Sequence, residues 1–349
     1  MMAGRLAAFF LFVFIMIGIL QADSTPVKPA REPARTDSVA RSIHQVETPM
    51  QIPAGIRLMV FSPHPDDETL AAGGLIQRVL ATGGKVRVVF ITNGDGYLKG
   101  VRLSFKHTKF LKDDFIDYRI MRHHEALMAA QSLGLRPDDA IFLGFPDQGI
   151  DQLRAQHWSK QYPYTSPFTN RDHPYMSSVK ASVKYDGADL YRELRTTIDE
   201  FRPNWIVLPD PRDRHPDHAT TGSFVLEALD GLGQRDKRLL QSTEIFSYLV
   251  HFPGYPDSGK WLSTLNGKSD SPSEKVLSSI QWMHLQLCAK ELFVKKNALA
   301  SYRSQFLVLG SLLREFVRPT EIFGHLDRSQ ISVLGCIYGK PRSSVEAVR

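Results

Sequence analysis

IRLMVFSPHPDDETLAAGGLIQRVLATGG, residues 56–84, changes character twice along its length. Residues 56–62 read as a buried strand and residues 68–82 as a helix. Between them, His64, Asp66, Asp67 and Glu68 crowd the point where the strand gives way to the helix. A buried strand that passes through a polar turn into a helix is the first half of a βαβ unit. In a doubly wound sheet of such units, ligands sit beyond the carboxyl ends of the strands, where these four residues lie.

The same alternation continues outward. Strands are expected at 85–93, 140–145, 204–209 and 243–252, and helices at 118–134, 188–201 and 218–230. Apolar runs separated by helices of this length predict an α/β, Rossmann-like fold, a mainly parallel sheet with helices on both faces. No internal repeat is visible, and one catalytic domain over 54–345 is expected. Two stretches break the rhythm: 146–186, rich in aromatic, proline and basic residues, and 253–281, rich in Gly, Ser and Pro. Long segments of this kind in a compact domain serve as lids or binding walls. The aromatics Trp158, Tyr162, Tyr164, Phe168 and Tyr175 are accordingly expected to wall one side of a cleft.

A second polar cluster follows the strand at 204–209. WIVLPDPRDRHPDHATTG, residues 205–222, carries Asp210, Asp213, His215, Asp217 and His218. Two loops at equivalent strand ends thus each present histidine with carboxylate, HPDD in one and HPDH in the other. Two imidazoles and a carboxylate are the donor set of a divalent-metal site that keeps an open position. A carboxylate left over could move a proton. Helix capping accounts for acidic residues at 66–68, but not for His64 or the matching HPDH. Residue types alone leave open which aspartate ligates and which transfers the proton. His251, after a strand, could also reach the site, whereas His123, His124, His157 and His173 have plainer readings on a helix or in the insertion.

Composition narrows the classes. The chain has 349 residues, 42% of them hydrophobic, enough for a sizeable core. Its formal charge is 43 − 37 = +6, with no run of five like charges to make a nucleic-acid arm, so nucleic acid is not an expected partner. MMAGR is a short cationic start, and LAAFFLFVFIMIGIL (6–20) is uncharged and too short for a full span. A polar, proline-bearing stretch follows, which predicts a signal peptide over 1–22 and an exported protein, periplasmic or secreted. Ala22 suits the position before a cleavage site but Leu20 is bulky, so an uncleaved anchor tethering the chain through 6–20 is the alternative. Residues 23–53 read as a poorly ordered linker. Cys288, in a helical pattern, and Cys336, in a strand-like run, are expected to be free buried thiols.

PHPDDE (63–68) together with D-x-H-P-D-H (213–218) resembles the PIG-L-type (LmbE-like) de-N-acetylase family, metal-dependent enzymes that remove acetyl groups from N-acetylglucosamine units. The resemblance runs on in order through TNGDG (92–96), Arg122, Glu125, Ala130 and Leu133-Gly134, FLGFPDQG (142–149) and KKNALASYRSQ (295–305). It covers about 54–325. Tyr302 stands where many members have His, and no role is carried over to it. The resemblance implies that His64, Asp67 and His218 bind the metal, zinc or another divalent ion. It implies Asp66 as the base that activates water, His215 as the residue that stabilises the oxyanion or protonates the departing amine, and Arg122 and Asp147 as holders of sugar hydroxyls. Asp213 is expected to orient a histidine ring. The expected activity is removal of acetyl from an N-acetylated sugar or glycoconjugate outside the cytoplasm. An amidase acting on a bulkier N-acyl group and a non-catalytic sugar-binding module are the alternatives.

Overall fold

The computed structural model describes residues 48–106, 109–256 and 280–336. An eight-stranded sheet is built from β1 (Thr48–Pro49), β2 (Arg57–Ser62), β3 (Lys85–Thr92), β4 (Ala140–Phe145), β5 (Trp205–Pro209), β6 (Glu244–Tyr248), β7 (Gln281–Gln286) and β8 (Thr320–Leu326). Their spatial order is β1-β7-β8-β6-β5-β2-β3-β4. From β4 to β6 every pairing is parallel, and β8 alone runs against its neighbours. β2 is flanked by β3 on one side and β5 on the other, so the winding direction reverses between β2 and β5. That reversal is the switch point at which open α/β sheets bind ligands. The expected α/β, mainly parallel architecture is what the chain forms.

Ten helices surround the sheet: α1 (Asp67–Ala81), α2 (Leu98–Phe105), α3 (Lys112–Ser132), α4 (Ile150–Ala155), α5 (Gly187–Phe201), α6 (Pro216–Arg235), α7 (Lys237–Ser242), α8 (Ala289–Ala300), α9 (Arg303–Glu315) and α10 (Arg328–Gly335) among the described residues. Alternation along β2 divides the core. Met59 and Phe61 join Leu194, Ile198, Phe224 and Leu334 on one face, while Leu58 and Val60 join Leu75, Ala129, Leu299 and Phe323 on the other. A strand buried on both faces reads as a continuous apolar run, as IRLMVF does.

Several boundaries differ from expectation. α3 starts at Lys112, six residues before the expected 118, because Asp114 accepts the Leu111 N–H at 2.8 Å and caps the helix earlier. β6 ends at Tyr248, since Val250 and His251 donate their N–H groups to Asp213 instead of to the sheet. The linker expected over 23–53 overlaps the sheet at its end: Thr48–Pro49 pair with β7, and Met50 is buried. The run around Cys336 is helix rather than strand, and the run around Cys288 is a strand followed by a helix. Both thiols are free and exposed, where burial was expected. The signal or anchor over 1–22, most of the linker and residues 337–345 lie outside the described residues.

Candidate active site

The loop after β2 and the loop after β5 meet at the switch point. Nδ1 of His64, Oδ2 of Asp67 and Nε2 of His218 form a triangle with sides of 3.2, 3.1 and 3.2 Å. Donors about 2.0–2.1 Å from a tetrahedral ion stand roughly 3.3 Å apart, so this two-imidazole, one-carboxylate set fits a divalent metal in both chemistry and spacing. His64 and Asp67 are nearly buried, and His218 is wholly so. Asp213 fixes the second loop, accepting from His215, Val250 and His251, and its Oδ2 lies 3.7 Å from Nδ1 of His218. The expected metal ligands are therefore brought together, whereas Asp213 stands near His218 without a hydrogen bond to its Nδ1.

Asp66 precedes α1 with φ 135 and ψ −30, a conformation that non-glycine residues rarely adopt. Such strain, about 1–3 kcal/mol, persists only where the surroundings hold it. Here Glu68 accepts the Asp66 N–H at 3.2 Å and Arg122 reaches the Asp66 carboxylate at 3.5 Å. Burial pushes the Asp66 carboxyl well up, against the opposing pull of Arg122. Asp67, beside it, goes the other way: burial raises it, but the charge of His218 and the bonds from His218 and His64 bring it well below the usual range. Neighbouring aspartates pushed apart in this way are suited to different tasks.

Arg122 and Asp147 both line the cavity, and both also hold the loops that shape it. Arg122 is buried and donates to the carbonyls of Gly94 at 3.1 Å and Pro65 at 2.6 Å. A Cβ on Gly94 (φ +65) would stand 1.8 Å from the Arg122 guanidinium, which is why glycine occupies that turn. Asp147 accepts the Gly96 N–H at 2.7 Å and faces Nε2 of His64 at 3.3 Å. Burial works against it, but the bond and charge of His64, with Arg122, bring Asp147 down to about 2. Asp217 accepts from the backbone of Gln148 and Ile150 and lies 3.2 Å from the same Nε2. Burial alone would lower the pKa of His64; the three carboxylates around it, Asp147, Asp217 and Asp67, hold it well above the ordinary value. Asp210 is a loop brace, gripping Arg212 through both carboxylate oxygens and accepting from Ser247.

His215 caps α6, and its Nδ1 accepts the Asp217 N–H at 3.2 Å. With Nδ1 an acceptor, the ring proton of the neutral form resides on Nε2. Burial and the nearby His64 and His218 lower His215 to about 3, so the ring stays neutral at ordinary pH. His251 joins it at the cavity, with its ring 4.8 Å from His218 and burial lowering it to about 4.

The cavity, about 180 Å³, has a second wall that sequence reasoning missed. Gln305, Leu309, Leu312 and Leu313 of α9 face it, with Leu70 and Val250 beside them and Tyr97 and Gln148 at its edge. α9 is tied in place by the KKNALASYRSQ stretch. Ser304 donates to Glu125 through both N–H and hydroxyl, Gln305 donates to Tyr118, and the Tyr302 hydroxyl donates to Glu68. The resemblance pointed to this stretch, but no charge pattern marked the leucines as cavity-lining.

The aromatic rings of the insertion are not among the residues that line this cavity, contrary to expectation, although Asp147 and Gln148 at its start do line it. Trp158 stacks on Phe224 at 5.9 Å and packs on the core, Phe168 packs on Phe115, and Tyr175 donates to Asp95. These rings find apolar or hydrogen-bonding partners inside the protein. His123 lies against Phe142, while His157 and His173 bond locally within the insertion. His124 is exposed.

Residues 59–229 match the family described as PIG-L: GlcNAc-PI de-N-acetylase. A 1D-myo-inositol 2-acetamido-2-deoxy-alpha-D-glucopyranoside deacetylase of Mycobacterium sp. (strain KMS) is 32% identical over 195 residues, 53% of this chain and 54% of that protein. The protein of the same name from Mycolicibacterium smegmatis is 34% identical over 171 residues, 47% and 50% of the two chains. The chain thus spans about half the length of the curated relatives it matches. Among solved structures, N,N'-diacetylchitobiose deacetylase from Pyrococcus horikoshii aligns over 92% of this chain and 99% of that one, with a TM-score of 0.49 and 16% identity.

Proposed function

With residues 59–229 a PIG-L family domain, we propose that the protein hydrolyses the N-acetyl amide of N-acetylglucosamine-type units with the help of one divalent ion, zinc, held by His64, Asp67 and His218. The observation that carries this reading is the donor triangle at the switch point with a strained, unliganding Asp66 beside it. When bound, the ion supplies Lewis acidity and lowers the pKa of a coordinated water to about 7. Asp66 is assigned the proton of the attacking water, its carboxyl held by Arg122 and raised by burial above the ordinary carboxylate range. His215 presents Nε2–H to the oxygen that becomes negative as the carbonyl turns tetrahedral. The C–N bond then breaks as the proton gained by Asp66 passes to the leaving nitrogen, giving acetate and a free amine. Arg122 and Asp147 line the space where the sugar hydroxyls would lie.

The leucine wall favours a second reading of the acyl group. Leu70, Val250, Leu309, Leu312 and Leu313 line the same cavity as the histidines and supply more apolar surface than an acetyl methyl requires. An amide with a longer acyl chain would fill it. We also propose that the protein acts outside the cytoplasm, on the strength of residues 1–22. The test of activity is carboxylate release by the purified full chain, before and after chelation, across N-acyl glucosamines of increasing acyl length. Release that stops on chelation and returns with zinc supports the reading, and a maximum beyond acetyl supports the longer chain. Sugar binding without any release would make the protein a binding module.

A further inference from the structure

We propose that the outer face of α2, with Lys109 and Leu111 beyond it, docks the protein on an anionic lipid bilayer. The segment from Gly96 to Lys112 holds Lys99, Arg102, Lys106, Lys109 and Lys112 and no acidic residue. All five side chains are exposed, and none is in a salt bridge among the described residues. Arg102 lies over the Phe110 ring at 5.1 Å, and Lys112 donates to the Pro167 carbonyl. Large apolar side chains stand out between these cations: Leu98 is 45% exposed, Leu103 43% and Leu111 62%. Only eight large hydrophobic side chains are exposed among the described residues, so three within this short stretch form a cluster rather than scatter.

The helix is amphipathic in the sense that interfaces select. Gly100 and Val101 pack inward on Tyr118 and Phe115, leaving Lys99, Arg102, Leu103 and Lys106 outward. Cations serve the anionic headgroups and leucines the region just beneath, whereas a soluble polyanion has no use for the leucines. The location links docking to the cleft. Tyr97, which precedes α2, lines the cavity, and α2 packs on α9, which supplies the leucine wall. A bilayer held against α2 therefore lies against an element that adjoins both Tyr97 and α9 of the cavity lining. Docking does not depend on the hydrolytic reading, and it is measured without turnover.

The test is hydrogen exchange of the full chain mixed with vesicles of phosphatidylcholine alone, with vesicles containing phosphatidylglycerol, or with dextran sulfate. Any insertion through residues 6–20 is common to both vesicle types and to all variants, so the local amides isolate this surface. The amides of α2 and of Lys109–Lys112 are expected to slow at least ten-fold on anionic vesicles and not on neutral ones. Lys99→Gln/Arg102→Gln/Lys106→Gln should weaken that protection about a hundred-fold in half-saturating lipid, at roughly five-fold per cation. Leu103→Ser/Leu111→Ser should also abolish protection, with unchanged exchange in the central strands showing that the fold is intact. Unaltered exchange of these amides on anionic vesicles overturns the proposal. So does equal protection by dextran sulfate that survives the leucine substitutions, which would assign the surface to a soluble polyanion.

Discussion

At the residue scale, the proposed division of labour rests on two adjacent aspartates in opposite environments. Asp67 faces two imidazoles within 3.2 Å, while Asp66 faces a guanidinium and carries the backbone strain. His215 owes its donor role to a backbone N–H, which fixes its tautomer. His215→Ala is expected to keep the metal and lower turnover about 10²–10³-fold, the cost of losing one oxyanion donor. Steady-state rates beside metal content check this, and an unchanged rate would remove His215 from the chemistry. His123 tests the electrostatics away from the site. Burial, Arg119 and His124 lower it to about 4, so between that value and its unfolded value near 6.5 the unfolded chain binds the extra proton. Stability from this group is present above pH 6.5 and is lost as pH falls toward 4. His123→Phe keeps a ring against Phe142 and should reduce the loss of stability between pH 7 and 5 by about 1 kcal/mol, discounted for half exposure. Parallel urea-unfolding stabilities for the two proteins across that range would contradict it. The meeting of His64, Asp67 and His218 was legible because each motif is local, a few residues past a strand, whereas the base is placed at Asp66 only by the family resemblance. His251 was anticipated from its place after a strand, but the α9 leucines were not, because Glu125 draws them in from a distant part of the chain.

At the element scale, α1 is the helix on which the site depends, and an ion pair reaches its middle. Glu321 of β8 accepts the N–H groups of Gly74 and Leu75 at 2.7 and 2.9 Å, and Lys295 of α8 donates to Glu321 at 2.7 Å and to the Leu70 carbonyl at 2.8 Å. All these groups are buried. Breaking one partner of a buried pair leaves an uncompensated charge and costs about 3–5 kcal/mol. Lys295→Met is expected to lose that much in urea unfolding, and Lys295→Met/Glu321→Gln less, because no lone charge remains. A single variant as stable as the wild type would mean that the pair does not secure α1. The helices over 68–82, 188–201 and 218–230 were legible from their apolar period and caps. β7 and β8 were not: QWMHLQ is short and half-polar, and it runs straight into the helical KELFVKKNAL pattern. The aromatic wall expected from 150–186 is not found at this cavity for a related reason. Aromatic content alone does not say whether rings face a ligand or, like Trp158 on Phe224, the core.

At the scale of the whole molecule, the parallel order β4-β3-β2-β5-β6 sets the site at its centre, and the chain beyond β6 brings in α9, which adds Gln305, Leu309, Leu312 and Leu313 to the cavity lining. The α9 leucines thus reach the site from a part of the chain far beyond both His/Asp motifs. Among the described residues no helix is long and apolar enough to cross a membrane; the apolar run at 6–20 lies outside them. The proposed export predicts that a tagged full-length chain fractionates beyond the cytoplasmic membrane, and recovery from the soluble cytoplasmic fraction with Met1 intact would refute it. The proposed chemistry turns on the separation of metal binding from proton transfer between neighbouring aspartates. Metal content and amide hydrolysis measured together on Asp66→Asn settle it. One equivalent of divalent ion retained, with the rate lowered about 10²–10⁴-fold, is the predicted result. An empty site in Asp66→Asn while Asp67→Asn stays filled, or full activity after the metal is stripped, would contradict it.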